Sequence, residues 1–183
     1  YLLANEMLVL AHHQQDQAET VLLRLLSGAG IHGLAAMQSI DIREKFTIWR
    51  PLLALSRQQI ELWAAEMQLR NIQDQTNFDT SYDRAWCRAE LWPILEKRFP
   101  KMQQALARTS YLMQDAETIL ADVLAQDWAS CGNASVLNLT SFRQLSEPRQ
   151  RQLLSAWMTG EDLYRPAFDM VQRLFDEVIE SKV

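Results

Sequence analysis

Two histidines and two acidic residues near the start of the chain could bind a charged ligand or move a proton. They follow Leu8 to Ala11, an unbroken apolar run of the kind that forms a buried parallel strand. His12 and His13 stand where such a strand would end, and Asp16 and Glu19 come directly after them. Open α/β sheets bind ligands at the carboxyl ends of their strands, so this polar corner is a candidate site.

The acidic residues also have a purely structural interpretation. Asp16 and Glu19 are three residues apart, which predicts a capping box that begins at Asp16 and a helix from Gln17 to about Ser27. Capping and ligand binding both explain Asp16, whereas capping alone accounts for Glu19. Adjacent strand residues point to opposite faces, so only one of the two histidines can face the corner.

Arginines supply positive charge near the predicted site. Arg50 ends a second apolar segment just before Pro51, where it is either solvated or paired with phosphate at the edge of the cleft. Arg84 and Arg88 are four residues apart on a predicted helix and project from one face. Either RNA phosphates or carboxylates of the chain would offset this pair of like charges. The nearest carboxylates in sequence are Asp79, Asp83 and Glu90.

Basic residues are concentrated between Arg84 and Arg108, although the whole chain of 183 residues has a formal net charge of −5. The segment has six basic residues and two acidic ones, which predicts a phosphate-facing surface on an otherwise acidic protein. The basic residues are Arg84, Arg88, Lys97, Arg98, Lys101 and Arg108.

The elements that must position these residues are strands and helices in the first half and helices in the second. Strands are predicted at Met7 to His12 and at Phe46 to Trp49, with an irregular or partly helical segment from Ile31 to Asp41. A capping box at Ser56 and Gln59 predicts a helix. Its expected inward face is Ile60, Trp63, Ala64 and Met67.

Further predicted helices are Asp83 to Leu91, Lys101 to Trp128, a brief one capped by Ser141 and Gln144, and two that begin at Pro148 and Pro166. A short strand is predicted at Val136 to Leu139, and residues 71–82 are predicted to be a loop. The fold class is therefore part of a parallel α/β sheet followed by a mostly helical region. The predicted domains are residues 1–99 and 100–183.

Composition excludes several classes of protein. Hydrophobic residues make up 48% of the chain, enough for a sizeable core. The two cysteines, Cys87 and Cys131, are far apart and predict reduced thiols in a cytoplasmic protein. With His32 they offer no zinc-ligand spacing, so no metal site is predicted. No apolar run approaches the ~20 residues of a membrane span, so no membrane partner is expected.

Three blocks of sequence resemble the tRNA(Ile)-lysidine synthases of the PP-loop ATPase group. The first has the pattern H-x-D-D-Q-x-E-T, with Gln15 where the family usually has aspartate. The residues that match it are His13, Asp16, Gln17, Glu19 and Thr20, and the likeness continues at Gly28, Gly30, Gly33, Leu34 and Met37. The second is Arg50 to Leu53. The third is Asp74 to Arg88, which departs from the family at Thr76, Ala85 and Cys87.

The resemblance implies the C-terminal part of a PP-loop ATPase domain followed by an incomplete helical tRNA-binding domain. A full-length member uses ATP to adenylate the C2 carbonyl oxygen of the wobble cytidine, and the lysine amine then attacks C2 and expels AMP. The implied partners are tRNA(Ile) with a CAU anticodon, L-lysine, ATP with Mg²⁺, and a second copy in a homodimer. The implied catalytic residues are His13, Asp16 and Arg50. The implied RNA-binding residues are Asn77, Asp79, Arg84, Arg88, Lys97, Arg98 and Lys101.

The glycine-rich S-G-G-x-D-S loop of the family has no equivalent here, because no two of the five glycines are adjacent. Backbone N–H groups to cradle pyrophosphate are therefore not identified, and these residues alone are expected not to turn over ATP. Two alternatives remain open. One is a tRNA cytidine thiolase, which usually carries C-x-x-C cysteines that this chain does not have. The other is a non-catalytic RNA-binding or scaffold fragment.

Overall fold

The computed structural model describes residues 6–43, 46–70, 79–133, 135–160 and 166–180. Strands β1 (Met7–Val9) and β3 (Thr47–Trp49) pair in parallel, with Leu8 opposite Ile48. The parallel pair agrees with the predicted fold class. Strand β2 (Ile40–Ile42), which the sequence analysis treats as irregular, pairs antiparallel with β3, so that the described sheet has the order β1–β3–β2.

The sheet is much more exposed than the apolar sequence of β1 predicts. The cross-strand register places Met7, Val9, Ile40, Ile42 and Trp49 on one face, and each of these side chains is at least 40% exposed. On the opposite face, Ile48 is only 9% exposed. The expectation of a buried strand is wrong because no described element covers the first face.

Helix α1 (Gln14–Leu26) follows β1, and a short helix α2 (Ile31–Leu34) precedes β2. Helix α3 (Arg57–Glu66) begins at the predicted capping box, where the backbone N–H of Ser56 donates to Gln59 Oε1 at 2.9 Å. The predicted inward face of α3 is wrong at Trp63 and Met67, which are 50% and 68% exposed. The other two predicted residues, Ile60 and Ala64, are half-buried, and no residue of this helix is fully buried.

The predicted helix from Asp83 to Leu91 is present but is not uniform. Helix α4 (Asp83–Trp86) continues into a π-helical turn (Cys87–Leu91) and then into helix α5 (Trp92–Arg98). Helix α6 (Met102–Cys131) is the predicted long helix, extended by three residues at its end. Ala18 of α1, Trp92 of α5 and Met102 of α6 form a buried cluster that joins these elements.

Helices α7 (Leu139–Phe142), α8 (Glu147–Thr159) and α9 (Phe168–Glu180) complete the described chain. Asn138 caps α7, so the predicted strand through Leu139 and the predicted cap at Ser141 are both wrong. Only an isolated bridge between Gly132 and Leu137 remains of that strand. The core residues that link these helices are Cys131, Phe142, Leu153, Leu154, Val171 and Phe175.

The chain divides into two compact units, one ending at Glu117 and the other beginning at Thr118. The division into domains at residues 99 and 100 stays a prediction. Among the described residues, no helix is long and apolar enough to cross a membrane.

Candidate functional site

Helix α1 begins three residues earlier than the sequence predicts, and His13 caps it. The backbone N–H of Gln15 donates to His13 Nδ1 at 3.2 Å, and the backbone N–H of His13 donates to Asp16 Oδ2 at 2.9 Å. The predicted box, with Asp16 as its first residue and Glu19 as its last, is therefore wrong. Glu19 lies inside the helix with no capping role.

The two carboxylates of α1 face Arg88, which projects from the π-helical turn. Arg88 Nε donates to Glu19 Oε1 at 2.6 Å, and Arg88 Nη2 donates to Asp16 Oδ1 at 2.9 Å. Glu19 is 1% exposed and Asp16 9%. The hydrogen bond to Glu19, supported by both negative charges, raises the pKa of Arg88 above its ordinary value against the opposing effect of burial. The first and third resembling blocks of sequence therefore meet in an ion-pair cluster.

Arg84 approaches the same carboxylate from one helical turn away. Its Nη2 donates to Thr20 Oγ1 at 3.0 Å, and its Nε lies 3.8 Å from Glu19 Oε2. Within the described part of the chain, Glu19 Oε2 is buried and accepts no hydrogen bond. Two arginines thus balance two carboxylates. The carboxylates that offset the arginines are Asp16 and Glu19 of α1, not the three acidic residues that lie nearest in sequence.

The π-helical turn places Arg88 beside a buried cysteine. Cys87 is 2% exposed, and burial raises the pKa of its thiol, with further contributions from the charges of Asp83 and Glu19. A buried thiol with a raised pKa is a poor nucleophile. This environment offers no support for thiolase chemistry.

Gln15 occupies the position where the family usually has an aspartate, and its amide holds Glu19. Gln15 Nε2 donates to Glu19 Oε1 at 3.0 Å, on the same oxygen that accepts from Arg88. A carboxylate at position 15 could not donate this bond and would repel Glu19. The neutral amide is therefore compatible with the buried carboxylate without any further positive charge.

His12 and Arg50 lie at the carboxyl ends of β1 and β3. Arg50 is 8% exposed; its Nη1 donates to the backbone oxygen of Gln38 at 2.9 Å, and its buried Nε has no partner among the described residues. Burial lowers the pKa of Arg50. Burial also lowers the pKa of His12; Asp16 opposes this effect, whereas Arg50 and Arg84 reinforce it.

Of the two histidines, His12 is the one that the resemblance does not select as catalytic. The alternation of strand side chains shows that one histidine faces the corner, but it does not show which. In the structure His13 serves as a helix cap, whereas His12 lies close enough to Asp16, Arg50 and Arg84 to interact with their charges. The buried Nδ1 of His12 makes no hydrogen bond within the described residues.

The remaining predicted RNA-binding residues lie outside this cluster. Lys97, Arg98 and Lys101 are exposed around the end of α5, and no ion pair described in the structure includes them. Asp79 is exposed, and its Oδ1 accepts from the backbone N–H of Ser81 at 3.0 Å, which is a turn contact. Asn77 lies outside the described residues.

Comparisons with known protein families match both ends of the chain. Residues 1–95 match the PP-loop domain, and residues 137–183 match the TilS substrate binding domain. The first of these matches covers more than half of the chain.

Individual relatives with similar sequences share one name. The chain is 60% identical over 182 residues to the tRNA(Ile)-lysidine synthase of Acinetobacter baylyi. This match covers 100% of this chain and 40% of that protein. It is 37% identical over 181 residues to the enzyme of that name from Actinobacillus pleuropneumoniae, covering 98% of this chain and 43% of the relative. The Shigella flexneri protein of the same name is 36% identical over 178 residues, a match that covers 97% of this chain and 41% of that protein. The chain thus spans about two fifths of the length of these curated relatives.

Proposed function

The chain belongs to the tRNA(Ile)-lysidine synthase family of PP-loop proteins, and on this premise we propose that it is the part of a lysidine synthase that orients the reacting groups at the wobble cytidine. The substrates are tRNA(Ile), L-lysine and ATP. One observation carries the proposal. Arg88 joins Asp16 and Glu19 through two charge-assisted hydrogen bonds, so that the two most specific blocks of sequence meet at the carboxyl end of β1.

The proposed reaction forms a carbon–nitrogen bond between the lysine amine and C2 of cytidine, and the C2 oxygen leaves with AMP. The attacking amine must lose a proton. His12 is suited to accept it, because it follows the carboxyl end of β1 and because its lowered pKa keeps the imidazole neutral near pH 7. Arg50, directly after β3, stabilises developing negative charge through the positive charge of its guanidinium. His13 and Asp16 hold the start of α1 in place.

The PP-loop match supports ATP as the source of the activating group. The described residues do not fit the Mg²⁺ ion that the resemblance implies, because Asp16 and Glu19 are already paired with Arg88. Among the described residues there is also no group of three histidine, cysteine or acidic side chains that could hold a metal ion. We therefore assign no step to this ion.

A chimeric enzyme tests the proposed function. Residues 1–183 replace the aligned segment of the Acinetobacter baylyi enzyme, and lysidine in tRNA(Ile) is measured by mass spectrometry with ATP and lysine present. We expect the chimera to form lysidine. His12→Gln should lower kcat by at least about 100-fold, the typical contribution of a general base. His32→Gln, which changes the exposed histidine of α2, provides a matched control that should leave kcat unchanged.

Two outcomes would contradict the proposal. The first is a folded chimera that binds tRNA but forms no lysidine under conditions where the parent enzyme does. The second is a His12→Gln chimera with the same kcat and the same pH profile as the unmodified chimera, because a general base leaves its pKa in that profile.

A further inference from the structure

We propose that Gln17 of α1 is a positioning residue, which holds the guanidinium of Arg50 in a fixed place relative to the start of that helix. Gln17 matches the first resembling block of sequence, but its side chain belongs neither to the cap of α1 nor to the ion-pair cluster. It is only 4% exposed. Buried amides are hydrogen-bonded in folded proteins, so the partners of Gln17 indicate what the side chain holds.

The amide of Gln17 pairs with the backbone of Met37, which lies between α2 and β2. Gln17 Nε2 donates to the backbone oxygen of Met37 at 2.8 Å, and the backbone N–H of Met37 donates to Gln17 Oε1 at 3.1 Å. Gln17 Nε2 also donates to Ser110 Oγ of α6 at 2.9 Å. Both N–H groups and the oxygen of the amide are therefore engaged, and together they fix the peptide groups of Met37 against α1 and α6.

The two residues that follow Met37 hold Arg50. Arg50 Nη1 donates to the backbone oxygen of Gln38 at 2.9 Å, and the backbone N–H of Arg50 donates to the backbone oxygen of Ser39 at 2.8 Å. A displacement of Met37 would move the carbonyl group of Gln38, because the two residues share a peptide bond. Gln17 therefore links Arg50 to α1, the helix that begins after the two histidines.

The segment that Gln17 holds has a backbone conformation that its own sequence does not favour. Ala36 has φ of +54°, in the left-handed region where a Cβ is disfavoured. Such a conformation persists only when the surrounding structure holds it. Gln114 Nε2 of α6 donates to the backbone oxygens of Ala35 at 2.9 Å and Met37 at 3.1 Å, so that hydrogen bonds hold the chain on both sides of Ala36. Loss of the bonds from Gln17 should let this segment shift.

A shift of the segment would act on the reaction through Arg50. The inference rests on the proposed function, in which the guanidinium of Arg50 stabilises developing negative charge. A charge stabilises a transition state only where it is already in place, and a small misplacement lowers the rate steeply. Because Gln17 is buried, its loss should lower kcat and leave the KM for tRNA nearly unchanged.

A double-mutant cycle in the chimera with the Acinetobacter baylyi enzyme tests this role. Gln17→Met keeps the length of the side chain and removes its amide, and we expect it to lower kcat by about 10- to 100-fold. The KM for tRNA should stay within about twofold. In a chimera that already carries Arg50→Met, the same substitution should lower kcat by less than about twofold, since the group that Gln17 positions is gone.

A buried glutamine elsewhere in the chain provides the matched control. Gln150 is also 4% exposed, and its Nε2 donates to the backbone oxygens of Phe142 and Leu145. Gln150→Met should lower Tm, as Gln17→Met does, and should leave kcat unchanged. Gln114→Met removes another donor from the carbonyl group of Met37. It should show the same dependence on Arg50 with a smaller loss of kcat, and it replaces Gln17→Met in the cycle if that variant does not fold.

Hydrogen–deuterium exchange of the chimera gives a measurement that does not depend on turnover. Mass spectrometry of peptic peptides measures the exchange rates of the backbone amides of Met37 and Arg50, which donate to Gln17 and Ser39. We expect both rates to rise in Gln17→Met. In Gln150→Met both rates should equal those of the unmodified chimera.

The results distinguish failure of this inference from failure of the proposed function. An unchanged kcat in Gln17→Met, an equal fold-loss in the presence and absence of Arg50→Met, or an unchanged exchange rate at Arg50 would each overturn the inference and leave the proposed function standing. An unmodified chimera that forms no lysidine would overturn the proposed function together with the catalytic effect of Gln17. The exchange rates would then still decide whether Gln17 holds Arg50.

Discussion

At the scale of single residues, the most unusual feature is a glutamate inside the protein. Glu19 is 1% exposed, and a buried carboxylate is costly unless it is paired and hydrogen-bonded. Arg88 and Gln15 both donate to its Oε1, and Arg84 lies near its Oε2. Because the carboxylate depends on partners from α4 and the π-helical turn, the ion pairs fix how α1 lies against those elements.

Removing Arg88 should therefore destabilise the protein strongly. We expect Arg88→Met to lower the free energy of unfolding by about 2–4 kcal/mol, because it leaves a buried carboxylate without its main partner. Chemical denaturation measures this change. Arg57→Met, which breaks an exposed pair with Glu61, should cost no more than about 1 kcal/mol.

The double variant Arg88→Met/Glu19→Gln identifies the cause of that loss. It should recover part of the lost stability because the buried charge is gone. A double variant less stable than Arg88→Met alone would show that packing, not charge, explains the effect.

The lowered pKa of His12 makes stability depend on pH. The unfolded chain binds a proton at His12 below its ordinary pKa of about 6.5, whereas the folded chain resists protonation because His12 is desolvated. His12 thus allows full stability above that pKa, and stability falls as the pH drops through it toward the lower folded pKa. We expect His12→Gln to show a smaller fall in Tm between pH 7.5 and 5.5 than the unmodified chain. An unchanged fall would exclude His12 as a source of the dependence.

At the scale of elements, the sequence predicts helices well where an apolar repeat and a cap agree. Helix α3 begins at its predicted capping box, and α6 follows its three- and four-residue spacing. The start of α1 is predicted wrongly because histidine is an uncommon cap, and Asp16 and Glu19 have the spacing of a box. The pairing of Arg88 with Glu19, 69 residues apart, has no local signal in sequence.

The turn after α6 depends on a glycine for a reason that the structure makes explicit. Gly132 has φ of +128°, and a Cβ there would lie 2.2 Å from the backbone oxygen of Val136. We expect Gly132→Ala to lower the free energy of unfolding by about 2 kcal/mol or more, through strain and steric overlap. Gly30→Ala is the matched control: the Cβ would meet open space and φ is negative, so stability should change by less than about 1 kcal/mol. Equal losses in the two variants would contradict this account.

At the scale of the whole molecule, apolar residues are divided between interior and surface in a way that composition does not reveal. The cluster around Phe142 and Leu153 is fully buried, whereas the sheet face that carries Ile40 and Ile42 is open. The hydrophobic content of 48% counts buried and exposed apolar residues alike. An apolar run specifies that a strand can be buried, but burial also requires an element to cover it.

The open sheet face leads to a prediction that contrasts two isoleucines. Ile42 is 81% exposed and Ile48 is 9% exposed on the opposite face. Ile42→Thr keeps the β-branched shape and should change the free energy of unfolding by less than about 0.5 kcal/mol. Ile48→Thr should lower it by about 1.5–3 kcal/mol, since it removes buried apolar volume and buries a hydroxyl group.

Dye binding should also distinguish the two substitutions, but here the larger effect is expected for Ile42→Thr. The fluorescence of 8-anilinonaphthalene-1-sulfonate, which reports exposed apolar surface, should fall for the folded Ile42→Thr variant because this substitution removes part of the open patch. Ile48→Thr leaves that patch intact, so its folded state should bind the dye as the unmodified chain does. If Ile42→Thr instead destabilised the protein as much as Ile48→Thr, the face that carries Ile42 would have to be covered in solution.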